Sequence, residues 1–84
     1  MVSGRVQGVG FRAFVARRAA DEQLSGWVRN QGDGSVECEA HGPPEALERF
    51  VEALRAGPRQ ARVDHAAVQW IEAAGAPDGF RVTG

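Results

Sequence analysis

The sequence has no lysine and no tyrosine, one cysteine and two histidines. Cys38 alone cannot close an internal disulfide, and with only His41 and His65 beside it no metal-ligand spacing arises, so a structural zinc site is excluded. No apolar run approaches the roughly 20 residues that span a bilayer. Met1-Val2-Ser3-Gly4 carries neither the charged n-region nor the apolar h-region of a secretory signal. The chain is therefore expected to be soluble and cytoplasmic, with no membrane partner. A basic excess is missing as well. Ten arginines face eleven acidic residues, for a formal net charge of −1, which argues against the concentrated positive face that nucleic acid requires. Because every basic residue is arginine in a chain rich in alanine and glycine, that bias reads as GC-rich coding and says nothing about anion binding.

What is present is an ordinary globular composition, 43% hydrophobic and 25% charged, over 84 residues. A chain of this size buries about 60 to 65% of its unfolded surface and has area for one core, so residues 1–84 are expected to form one domain, with a monomer as the default. Residues 2–7 read as a short strand with Val2 and Val6 on alternating spacing. From Phe11 to about Gln23, Phe11, Phe14, Val15 and Ala19 recur at helical spacing. Residues 25–31 read as a strand ending in the Asp33-Gly34 turn signal. Val36, Cys38 and Ala40 then alternate with Glu37, Glu39 and His41, as in a strand with one buried face. Pro43-Pro44 open a second helix with Leu47, Phe50, Val51 and Leu54 on its stripe, and Gly57-Pro58 stop it. A strand with a bulge is expected from Arg62 to about Glu72, and a short closing strand over residues 79–82. The order β-α-β-β-α-β plus a terminal strand predicts an α+β, ferredoxin-like split βαβ sandwich: an antiparallel sheet with two helices on one face. In that topology the loop after the first strand and the end of the second strand, near Asn30, share one edge of the sheet.

That loop is the chemically suggestive stretch. Gly8-Val9-Gly10-Phe11-Arg12-Ala13 fits the dinucleotide fingerprint G-x-G-x-x-G/A, yet the chain has no room for the parallel sheet that motif serves. Walker A fails for want of a Lys-Ser/Thr pair. The physics shared by both motifs survives: glycines free the backbone to turn N–H groups inward, and a helix starting at once adds unpaired donors and its positive dipole end. Arg12 in the first helical turn adds a planar cationic fork matched to two phosphate oxygens. On residue types alone the stretch is either an anion cup or a tight turn followed by a solvated arginine.

The string Gly4-Arg5-Val6-Gln7-Gly8-Val9-Gly10-Phe11-Arg12, with G-W-V-R-N-x-x-D-G-S-V-E at residues 26–37, resembles the acylphosphatase family. The resemblance implies that family's ferredoxin-like fold and hydrolysis of the carboxyl–phosphate bond of a small acyl phosphate, with no cofactor and no metal. By position it makes Arg12 the phosphate-binding arginine. The backbone N–H groups of Gln7, Gly8, Val9, Gly10 and Phe11 become the cradle, and Asn30 the residue that positions the attacking water. The alternative is a non-enzymatic module that uses the same cup for recognition alone, for which a water-orienting amide has no purpose. Asp33 and Ser35 read as turn residues, Arg5 and Arg29 as solvent-facing strand residues, and Trp27 and Trp70 as packing residues. The chain departs from the family pattern at its start, where the first strand is expected to be clipped.

Overall fold

Alternating apolar residues in the strands and a 3.6-residue stripe in each helix collect the core on one side of a five-stranded sheet. The computed structural model describes residues 1–70 and 75–84. In chain order the elements are β1 (Val2–Arg5), α1 (Phe11–Asp21), β2 (Ser25–Asn30), β3 (Val36–His41), α2 (Pro44–Ala56), β4 (Arg62–Ala66) and β5 (Phe80–Thr83). The sheet order is β4-β1-β3-β2-β5. β3 is antiparallel to both β1 and β2, so β1 and β2 run parallel with β3 inserted between them.

Val2, Val28 and Val36 face the helices, where Phe11, Val15 and Ala19 of α1 and Ala46, Phe50 and Leu54 of α2 cover them. Among the described residues Phe11, Val6, Val15, Val28 and Val36 are the largest fully buried side chains, each contributing roughly 1.5–3 kcal/mol by leaving water. Phe50 meets the ring of Phe80 edge-on at 6.2 Å between centroids, which ties α2 to β5. This is the expected α+β sandwich, with one refinement: β5 adds a parallel pair with β2, from Gly26↔Phe80 to Arg29↔Thr83, so the sheet is mixed. That parallel edge brings the end of β5 alongside Arg29 and Asn30.

The fourth strand is shorter than the sequence suggests. Its pairing with β1 moves from Ser3↔His65 to Gly4↔Val63, placing the expected bulge at Asp64. The strand itself ends at Ala66, and one further pair follows, in which the Met1 amine donates to Ala67 O at 3.0 Å and Ala67 N donates to Met1 O at 2.9 Å. Ile71 and Glu72 lie outside the described residues. Val68 and Trp70 are exposed, Trp70 by 59%, so Trp70 is not the packing residue expected. A groove of about 450 Å³ is lined by Cys38, Ala40, Leu47, Phe50, Val68 and Trp70 among others. Burial in its wall raises the Cys38 thiol pKa above the ordinary value. No helix among the described residues is long and apolar enough to cross a membrane.

Candidate active site

Between Val6, which is buried, and Phe11, which begins α1, the chain makes one turn over Gln7 to Gly10. Gly8 and Gly10 both adopt left-handed backbone, with φ of 74° and 75°. A side chain at either position would meet nothing within 4 Å. The glycines are therefore required by conformation and not by crowding, and the space in front of the turn is open. The first helical bond runs from Phe14 N to Gly10 O at 3.0 Å. None of the amides from Gln7 to Ala13 has an acceptor among the described residues. A turn of alternating left-handed residues leading into a helix N-terminus presents such free donors as an anion-binding concavity.

Arg12 follows immediately. It is half-buried, and its Nη1 donates to Thr83 O, at the end of β5, across 3.1 Å. One contact of the guanidinium is thereby fixed, while its other donors have no acceptor among the described residues. The same end of β5 borders Asn30: a side chain built on Gly84 would lie 3.2 Å from Arg29 Cβ and 3.6 Å from Asn30 O. The fold thus brings Arg12 and Asn30 to a common strand end, although 18 positions separate them in sequence. Asn30 Oδ1 is buried and has no partner among the described residues. An unpaired buried carbonyl of this kind costs about 1–3 kcal/mol unless a donor reaches it.

Asn30 is held by the turn that follows it. Gln31 N donates to Ser35 O at 2.8 Å and Gly34 N to Gln31 O at 3.2 Å. The Asp33 carboxylate accepts from Ser35 N at 3.0 Å and from Ser35 Oγ at 2.6 Å. Asp33 and Ser35 are thus turn residues, as expected from the Asp-Gly signal. The Ser35 hydroxyl, with the Ser35 amide second, holds the Asp33 pKa below its ordinary 3.8. A carboxylate depressed on folding contributes stability that is present in full above its unfolded pKa and lost as pH falls through the folded one. Thermal melts from about pH 5 to about pH 2 should therefore show an acid limb that Asp33→Ala flattens. Identical limbs in the two proteins would refute that role.

The remaining singled-out residues stay off the site. Arg29 is exposed, pairs with Glu37 Oε1 and lies over the Trp27 ring at 5.1 Å. Arg5 is exposed, and His41 pairs with Glu39 Oε2 at 3.0 Å. Among the described residues no three His, Cys, Asp or Glu side chains could together hold a metal ion. Two contacts were invisible to sequence reasoning: the Thr83 carbonyl on Arg12, and a pair of bonds from the Gln7 side chain to the β2–β3 turn.

Comparison with known proteins points to one family. The acylphosphatase family model matches residues 1–82. An acylphosphatase of Salinibacter ruber is 57% identical over 81 residues, covering 96% of this chain and 85% of that protein. One from Thermus thermophilus is 54% identical over 82 residues, covering 98% and 92%. The crystal structure of acylphosphatase from Bacillus subtilis superposes with a TM-score of 0.91 at 43% identity, over 99% of this chain and 92% of that one.

Proposed function

Because the chain belongs to the acylphosphatase family and hydrolyses acyl phosphates to a carboxylate and inorganic phosphate, we propose that Arg12, Asn30 and the Gln7–Phe11 amides carry that reaction. The amides of Gln7, Gly8, Val9, Gly10 and Phe11 cradle the phosphoryl oxygens. Arg12 closes over two of them with the donors that Thr83 leaves free. Asn30 Oδ1 accepts a hydrogen from a water and aims that water at phosphorus, in line with the acyl oxygen.

In this scheme the water oxygen forms a bond to phosphorus as the bond to the acyl oxygen breaks, and the bonding pair leaves with the carboxylate. The water proton passes to a phosphoryl oxygen. A carboxylate is a stable leaving group, so no general acid is required, and positioning with charge stabilisation suffices. The observation that carries this reading is the unpartnered Asn30 Oδ1, which a recognition cup does not need and a bound water satisfies. The same reading treats residues 1–84 as one domain acting as a cytoplasmic monomer on a small acyl phosphate, without cofactor, metal, nucleic acid or membrane.

The test combines turnover with binding. In buffer containing EDTA the protein should hydrolyse benzoyl phosphate, leave p-nitrophenyl phosphate largely intact and be inhibited competitively by inorganic phosphate. Titrating phosphate should shift the amide resonances of Gln7 to Phe11 before any others. Competitive inhibition with those amides unmoved would overturn the cradle assignment.

A further inference from the structure

Resting on that reading of the site, we propose that Gln7 is a positioning residue: its side chain locks the phosphate cradle to the turn that carries Asn30, and so sets the distance between the bound phosphorus and the water. Gln7 Nε2 donates to Gln31 O at 2.7 Å and to Ser35 O at 3.0 Å, across 24 and 28 positions of sequence. A carboxamide nitrogen has two hydrogens, and both are committed here. Gln31 directly follows Asn30, and Ser35 directly precedes Val36, the β3 residue paired with Asn30. The two carbonyls are therefore the points where the turn joins its strands on either side of Asn30. Gln7 itself opens the cradle, one residue before the left-handed Gly8. Among the described residues these are the only side-chain hydrogen bonds from residues 7–10 to residues 30–35.

A device that only held the hairpin together would be redundant here. Gln31 O also accepts from Gly34 N, and Ser35 O from Gln31 N. Removing the Gln7 carboxamide leaves neither carbonyl without a backbone donor, so the turn keeps its own closure. What is lost is the registration of one half of the site against the other. In-line attack depends on that registration, since a misplacement of about 1 Å can cost a factor of about 10² in rate. The Gln7 main-chain N–H is untouched by a side-chain change, so phosphate binding should survive.

Gln7→Met, which keeps the length and removes both donors, should lower kcat on benzoyl phosphate roughly 10- to 100-fold. The inhibition constant of inorganic phosphate should change less than about threefold, since no phosphate ligand is removed. In an Asn30→Ala background, where there is no water-holding group left to register, Gln7→Met should add little further loss. Gln7→Glu, which presents a carboxylate to two carbonyl oxygens, should fall at least as far as Gln7→Met.

Wild-type kcat in Gln7→Met, fully multiplicative losses in the double variant, or a phosphate affinity lost in step with kcat would each overturn the proposal. If Gln7→Met fails to fold, the side chain is a structural support and the proposal falls with it. Should Asn30→Ala itself leave kcat unchanged, the underlying reading of the site fails; should it reduce kcat while Gln7→Met does not, the fault lies with the positioning role alone.

Discussion

Replacing Arg12 with alanine should lower kcat/KM on benzoyl phosphate by a factor on the order of 10³ or more, about 4 kcal/mol of transition-state stabilisation. The size follows from what remains. Amide donors can hold a phosphoryl group, but each carries a partial charge, whereas the guanidinium supplies a full charge and two parallel donors where negative charge builds on the equatorial oxygens. Stability should change little, because the side chain makes one described hydrogen bond, to Thr83 O, and a single such bond is worth about 0.5–1.5 kcal/mol. Arg12→Lys should recover part of the rate, as a point charge without the fork. A folded Arg12→Ala variant with near-normal kcat/KM would remove the clamp from the mechanism.

The sequence discloses this arrangement unevenly, and the boundary is physical. Gly8, Gly10 and Arg12 are neighbours, so their joint meaning is local and can be read directly: left-handed backbone, a helix start and a charge within one turn. The strand order follows from β-α-β connectivity, and with it the approach of Asn30 to the same edge. The contact between Arg12 and Thr83, 71 positions apart, follows from no pattern, because it depends on β5 pairing parallel to β2. Gln7 is a similar case: a glutamine in a loop carries no periodicity, and its two carbonyl acceptors exist only once the β2–β3 turn has folded. Trp70 and residues 67–70 of the expected fourth strand mislead for a third reason. Residues 67–70 have strand-like composition, but a strand needs a partner, and the described pairing of β4 with β1 runs only over Arg62–Ala66.

Asn30→Ala should reduce kcat by roughly 10²- to 10³-fold, the range found when one preorganised group at a reacting centre is deleted. Phosphate inhibition should stay competitive and nearly unchanged, because the cradle and Arg12 are intact. The structure supplies the reason for this split. Asn30 Oδ1 is a buried acceptor with no partner among the described residues, so its deletion removes no described hydrogen bond of that atom. Relieving an unsatisfied carbonyl should leave the melting temperature level or slightly raised. A structural asparagine would behave in the opposite way, with stability and activity falling together. Asn30→Asp sharpens the comparison: the shape is kept and the acceptor strengthened, but a negative charge now faces an anionic substrate, so phosphate affinity should fall as well as kcat. The water-positioning role therefore stands on the alanine variant losing turnover alone while the aspartate variant loses both; phosphate affinity lost with turnover intact in Asn30→Ala would make Asn30 a binding group, and the attacking water would need another holder.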